Sequence, residues 1–262
     1  MRRNLLIIAA AALLLTTFSC QQTKKADPSS AEGDSITTKG NEAPTENAST
    51  YDATDATAFG LKGNVKIVVT LHYEARPGGQ SLVRGNLLNN YNDSIITFNE
   101  QGQVTCDAFA NPYTYDAEGK FIKGRAKTTT MKRNEDGRII SYDHQIKGEG
   151  HWNSYSYEFK YDELGRMQEY TYTGWEEIFG YKYIYDDDET LWPVKITMEG
   201  QACADLFESE MLYRYLKFDD EGNWTEREVS MVERQGVDDG SDNPEMETSN
   251  SYFIEKREIT YY

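Results

Sequence analysis

The chain is predicted to be all-β: an antiparallel β-hairpin meander, strongly curved or rolled into an open half-barrel, after an N-terminal signal and a disordered linker. Three observations predict it. A turn pattern recurs, in which Asp or Asn at a fixed position is followed three residues later by Gly. Alternating, tyrosine-rich segments flank several copies. No stretch downstream of the linker carries a long amphipathic helical period.

The turn copies read Phe98-Asn99-Glu100-Gln101-Gly102, Tyr115-Asp116-Ala117-Glu118-Gly119, Asn134-Glu135-Asp136-Gly137, Tyr161-Asp162-Glu163-Leu164-Gly165 and Phe218-Asp219-Asp220-Glu221-Gly222. An Asp or Asn side chain at the first turn position bonds backbone N–H groups just downstream. Two residues then take helical angles. The next position needs a positive φ, which glycine adopts without steric cost. This is a type I turn closed by a glycine bulge, a common hairpin connection. A degenerate copy, Tyr185-Asp186-Asp187-Asp188-Glu189, lacks the glycine. The intervals are uneven, so no fixed-period solenoid is expected.

The flanks read as strands. Tyr155, Tyr157, Phe159 and Tyr161 share one face, as do Tyr181, Tyr183 and Tyr185. Val65, Ile67, Val69, Leu71 and Tyr73 are expected to form a buried face in the same way. Near the C-terminus the shared face would be Phe253, Glu255, Arg257, Ile259 and Tyr261, a weaker alternation. Ala204 to Leu216 is broken by charges and reads as a loop leading into a strand.

The N-terminus carries an address. Arg2 and Arg3 precede an apolar run, Leu5 to Leu15, that is too short to span a bilayer. Ser19-Cys20 follows. The arrangement resembles a bacterial lipoprotein signal peptide, with Thr17 standing where that pattern prefers Leu. The resemblance implies that residues 1–19 are removed, Cys20 is lipidated and the protein is anchored in the outer membrane, facing the periplasm. The alternative is an ordinary secreted protein in which Cys20 is incidental. Each buried methylene of an acyl chain contributes about 0.8 kcal/mol, so two or three chains would hold it durably. Residues 20–57 are rich in Ser, Thr, Ala, Asp, Glu and Asn and read as a flexible linker. Such a coil would reach about 30–35 Å. Residues 58–262 form the folded domain.

The formal charge is −17 and becomes −19 once Arg2 and Arg3 leave. That surface repels nucleic acid, which is not an expected partner. Nineteen tyrosines stand in for a modest aliphatic content. A phenol ring packs while its hydroxyl reaches water, which suits a curved sheet better than a tight sandwich.

The best copy, Tyr157-Glu158-Phe159-Lys160-Tyr161-Asp162-Glu163-Leu164-Gly165-Arg166-Met167, resembles the YD repeat of RHS-like proteins. Arg138 keeps the arginine position of that pattern, whereas Gln103, Lys120 and Asn223 depart from it. Gly60-Leu61-Lys62-Gly63-Asn64-Val65-Lys66 and the ending Arg257-Glu258-Ile259-Thr260-Tyr261 are similar to small lipoproteins of the Bacteroidota type that carry such repeats. The resemblance spans roughly residues 60–262 and implies a β-fold. It carries no activity with it.

Chemistry is sparse. His72 reads as the polar side of a strand, and His144 and His151 as residues in or beside turns. No HExxH or GxSxG pattern occurs, so neither metal hydrolysis nor a serine nucleophile is supported. The acidic runs at 186–189 and 238–242 do not match a calcium loop, and neither metal nor cofactor is expected. Trp152, Tyr172, Trp175 and Tyr181 are candidate ligand-stacking rings, with Trp175 placed at a hairpin tip; the competing reading is that these rings are core. Asp34-Ser35-Ile36 resembles an O-glycosylation acceptor in exported proteins, which makes Ser35 a candidate site, and Asp93-Ser94-Ile95 repeats the pattern. Cys106 and Cys203 leave both a disulfide and two separately buried thiols open, their separation favouring the latter.

The first functional expectation is a non-enzymatic, lipid-anchored envelope protein that binds or scaffolds a protein or glycan. A periplasmic carrier of an apolar ligand or lipid in a half-barrel concavity is the alternative. An envelope-polymer hydrolase is the remote one.

Overall fold

The computed structural model describes residues 54–88, 95–107, 112–124, 128–147, 152–238, 240–241 and 244–262. Cys20, Ser35, Ser94 and His151 lie outside these residues, as does the side chain of Trp152. A one-turn helix, α1 (Asp55–Ala58), leads into β1 (Val65–Pro77), β2 (Leu82–Leu87), β3 (Ile95–Phe98) and β4 (Val104–Cys106). A separate hairpin follows, β5 (Thr114–Tyr115) and β6 (Phe121–Lys123). Next come β7 (Thr130–Arg133), β8 (Ile139–Lys147), β9 (Trp152–Tyr161), β10 (Met167–Gly174) and β11 (Glu177–Ile184). The chain finishes with β12 (Lys195–Ala202), β13 (Asp205–Phe218), β14 (Trp224–Val237) and β15 (Met246–Tyr261).

Thirteen strands form one antiparallel sheet in the order β4-β3-β1-β15-β14-β13-β12-β11-β10-β9-β8-β7, with β2 paired to β1. From β7 to β15 the path is a simple meander. The last strand then docks on the first long one. The sheet is not closed into a barrel by hydrogen bonds.

The turn glycines adopt the expected conformation. Gly102, Gly119, Gly137, Gly165 and Gly222 have φ between 71 and 86°. In each turn the side chain of the first Asp or Asn accepts from the amide four residues on, as Asp162 does from Arg166 at 2.8 Å and Asp219 from Asn223 at 2.7 Å. The residue after the glycine then reaches across to the neighbouring turn. Gln103 donates to the carbonyl of Gly119 at 2.7 Å. The guanidinium of Arg138 lies against Gly165, where an added Cβ would meet its Nη2 at 2.1 Å. Arg166 covers the ring of Tyr185 at 4.1 Å and donates to the carbonyls of Asp187 and Thr190. Asn223 bonds both backbone groups of Lys62. The turns are thus stitched to each other along one end of the sheet.

The sheet also rolls. Asp55 is 3 % exposed, and its carboxylate touches both sheet edges. Its Oδ2 accepts from the amide of Val104 in β4 at 2.9 Å, and both oxygens accept from Arg133 in β7. Ala56, Leu61, Val68, Phe98 and Val104 form a core with Met131 and Ile139 from the opposite edge packed onto it. The β5–β6 hairpin spans the gap, with the hydroxyl of Tyr115 donating to Val104 O at 2.9 Å and Tyr113 against the ring of Tyr142. The expected half-barrel is therefore an open sheet curled until side chains bridge its edges.

Three expectations need correction. β1 carries an irregularity between Val65 and Ile67, and a one-residue slip exchanges the two faces of a strand. Val68, Thr70 and His72 are consequently buried, while Ile67, Val69, Leu71 and Tyr73 lie on the other side, half-buried. Ala204 to Leu216 is strand almost throughout, inside β13, because its charges fall on the outer face. Cys106 and Cys203 are not joined in a disulfide; Cys106 is partly buried and Cys203 exposed, at a tight hairpin where its own φ is 54°. The folded part also reaches back to Thr54, which caps α1, upstream of the boundary at 58.

Glycine replacement separates turn conformation from turn stitching. Gly222→Ala meets nothing nearer than Lys62 Nζ at 3.9 Å, so it should cost about 1–2 kcal/mol for the left-handed backbone alone. Gly165→Ala must also displace Arg138 and should cost clearly more in urea unfolding. Equal costs would mean that the Arg138 contact contributes nothing.

Candidate functional site

One face of the roll is lined by aromatic rings in cross-strand register. Tyr142 lies opposite Tyr157, their centroids 4.1 Å apart and nearly parallel. Tyr157 lies opposite Tyr172, Phe159 opposite Tyr170, and Tyr170 opposite Tyr181, each pair 5.2 to 5.3 Å apart. Met198, Met211 and Met231 continue the face toward β14. The other face carries ion pairs such as Lys160–Glu169, Lys195–Glu210 and Lys217–Glu226. Period-two alternation puts the rings inside and the charges outside.

Between this inner face and the N-terminal cap lies a cavity with about 70 Å³ of room for water-sized molecules. Phe59, Val104, Met131, Tyr142, Met167 and Tyr170 are among the residues that line it, with Asp55 and Asp107 at its wall. Among the described residues no lysine, arginine or histidine lines it. Most of the surrounding phenols are spoken for: Tyr113 donates to Asp107 at 2.7 Å and Tyr161 to Ile139 O at 2.7 Å. Tyr170 differs. Its residue is 6 % exposed, and its buried hydroxyl has no hydrogen-bond partner among the described residues. Burial first, and neighbouring phenols second, push Tyr142 and Tyr170 well above the usual tyrosine range. Both hydroxyls therefore stay protonated and remain hydrogen-bond donors at neutral pH.

Further round the same face sits a buried ionic group. Glu255 Oε2 accepts from Arg227 Nε at 2.6 Å, and its Oε1 lies 3.1 Å from His72 Nδ1. The three residues are each under a tenth exposed. Burial pushes the Glu255 carboxyl up, but Arg227 and His72 together outweigh it and hold it at about 2. Arg227 also covers the rings of Tyr213 and Trp224, each at 4.1 Å. Sequence reading placed Glu255 inward but missed its partner, because the irregularity in β1 turns His72 from the outer face to the inner one.

The candidate stacking residues do not converge. Tyr172 is 4 % exposed and packed between Tyr157 and Phe179, so it has no open face; its hydroxyl donates to Glu177. Tyr181 is half-buried between Tyr170 and Met198. Trp175 stands at the tip of the β10–β11 hairpin, 46 % exposed, with exposed Ile178 in the adjoining strand. His144, expected near a turn, lies within β8, stacked between Tyr142 and Tyr155. Among the described residues no group of three or more His, Cys, Asp or Glu is placed to hold a metal. Asp187 bonds the amides of Glu189 and Thr190, which is turn chemistry. No helix among the described residues is long and apolar enough to cross a membrane.

Neither a protein-family model nor a curated protein matches this chain.

Glu255→Gln leaves Arg227 buried without its counter-charge and should destabilise the protein by about 3–5 kcal/mol at neutral pH. The folded carboxyl lies below its ordinary value of 4.5. Its contribution is therefore complete above that value and is lost as pH falls from about 4.5 towards 2. Urea unfolding of the two proteins should converge over this window; a pH-independent gap would contradict the linkage.

Proposed function

We propose that this chain is an exported, lipid-anchored envelope protein of the YD-repeat type, and that it carries a small, largely apolar ligand in the phenol-lined cavity. The observation that carries the reading is the Tyr170 hydroxyl: a buried donor without a partner among the described residues, in a cavity walled mainly by aromatic, aliphatic and methionine side chains. An unsatisfied buried polar group costs about 1–3 kcal/mol. A ligand that supplies an acceptor there recovers that cost while its apolar body fills the space. With two carboxylates at the wall and no cation lining it among the described residues, the cavity favours a neutral ligand over an anion. The anchor rests on Arg2, Arg3, the apolar run and Cys20, and the linker sets the folded part off the membrane.

A second reading is contact with a protein or glycan through the β10–β11 hairpin. The exposed Trp175 with Ile178 beside it favours that reading, and it does not compete with the cavity for residues.

Titration with N-phenylnaphthylamine, a neutral aromatic probe, tests the carrier reading by fluorescence. Saturable one-site binding is expected, and Met167→Trp, which fills the cavity, should abolish it. Tyr170→Phe should leave the empty protein as stable as before or up to about 2 kcal/mol more stable, yet weaken acceptor-bearing ligands such as long-chain ketones about tenfold. Undiminished binding by Met167→Trp would overturn the reading.

A further inference from the structure

Among the described residues, Tyr113, Tyr142, Tyr161, Tyr170 and Tyr183 are the tyrosines that line the cavity. The hydroxyls of the first three are engaged. Tyr113 donates to Asp107, Tyr142 bonds the Tyr113 hydroxyl, and Tyr161 donates to Ile139 O. The Tyr170 hydroxyl is shielded from solvent and has no partner among the described residues. Tyr183 is half-buried and makes no hydrogen bond to a described residue either. Tyr185, two residues on from it, does find an acceptor, Met167 O at 2.8 Å.

The two unengaged phenols are neighbours. Tyr170 lies opposite Tyr181 in the register of β10 and β11, which makes Tyr183 its diagonal neighbour on the same face. Diagonal pairs of this kind sit about 7–8 Å apart, within reach of aromatic side chains. The Tyr183 phenol is also one of the groups that, after burial, push the Tyr170 hydroxyl upward. Tyr183 is itself pushed up, by burial first and by Tyr181 second, while the charge of Arg227 pulls the other way. Both hydroxyls stay protonated at neutral pH, so the cavity presents two donors side by side.

We propose that Tyr170 and Tyr183 together recognise one carbonyl oxygen, so that the cavity selects small neutral carbonyl compounds. This rests on the carrier reading and adds to it a second donor and a ligand class. A carbonyl oxygen has two lone pairs and accepts from both phenols at once. It brings no hydrogen of its own. An alcohol brings an O–H that needs an acceptor in turn, and the Asp55 carboxylate is already filled by Val104 and Arg133. A carboxylate ligand would meet Asp55 and Asp107 at the wall. An alkene of the same shape would leave both donors bare, at the cost of their desolvation. With about 70 Å³ of room, the part of the ligand that enters is a carbonyl with a small ring or short chain.

Cyclopentanone and methylenecyclopentane share one shape and differ in the oxygen. Each is titrated into protein with isotope-labelled methionine methyl groups, because Met131 and Met167 line the cavity. Both methyl resonances should move saturably, and cyclopentanone should bind about tenfold more tightly than the alkene. Tyr170→Phe and Tyr183→Phe should each shrink that preference to about threefold, and the double variant should abolish it. The carbonyl carbon resonance of bound cyclopentanone should lie downfield of the free compound and move back in two steps as the phenols are removed. Equal affinity for the two compounds overturns the carbonyl site and leaves the carrier reading standing. Methyl resonances indifferent to both also overturn it, and the N-phenylnaphthylamine titration then decides the carrier reading separately. If Tyr183→Phe keeps the preference and the carbonyl resonance of wild type, the shared oxygen is overturned.

Discussion

A single carboxylate, that of Asp55, ties together the two edges of the sheet. It takes the amide of Val104 from one edge strand and both terminal nitrogens of Arg133 from the other. Free strand edges are exposed rows of donors and acceptors that invite pairing with other chains. Here one edge amide is satisfied internally, and the opposite edge is drawn against the same helix. The geometry also satisfies Asp55 itself, since a buried carboxylate is tolerable when its oxygens are filled by charge-assisted hydrogen bonds. Removal of one partner would strand the other in the core of the cap.

The closed roll explains why tyrosine can replace the aliphatic core. A flat sheet with one aromatic face would leave that face wet. Curling brings β7 and β8 over the cap and shelters the rings, so Tyr142, Tyr157, Tyr170 and Tyr172 are all under a tenth exposed with only the two-stranded β5–β6 sheet added over them. Stacked and tilted ring pairs add about 0.5–1.5 kcal/mol each beyond area burial. A cost accompanies this choice. Every buried phenol needs a hydrogen-bond partner, and packing large rings on a concave surface leaves gaps. The cavity beside the Tyr170 hydroxyl, which has no partner among the described residues, is where both consequences meet. The polar residues further round, His72, Glu255, Arg227 and Arg257, occupy the part of the interior that rings do not fill.

Local features were the most legible from sequence. The glycine turns followed from side-chain chemistry within five residues, and their φ angles agree at every copy. The tyrosine faces of β9 and β11 followed from period two. What escaped sequence reading depends on contacts between distant segments. No local signal marks the irregularity in β1 that puts His72 inward. Nor does any show that Arg138 and Arg166 belong to the stitching of neighbouring turns instead of to the surface. Asp55 looked like the end of a linker because its partners, Val104 and Arg133, are far along the chain. The cavity was legible as a possibility of the half-barrel but not as a set of residues. Trp175 at a hairpin tip was placed correctly from the turn alone, whereas Tyr172 was taken for a ligand platform because burial is set by neighbours that periodicity does not name.

Binding of a ligand in the interior presupposes that the roll is closed in solution. Pulsed electron spin resonance on labels at Glu100→Cys, beside one edge, and Lys132→Cys, on the other, measures this directly once Cys20, Cys106 and Cys203 are replaced by serine. Both label sites are exposed. A narrow distance distribution is expected, which lengthens and broadens when Asp55→Ala is added. A broad distribution in the parent, or one that Asp55→Ala leaves unchanged, would contradict the closure of the roll by that carboxylate.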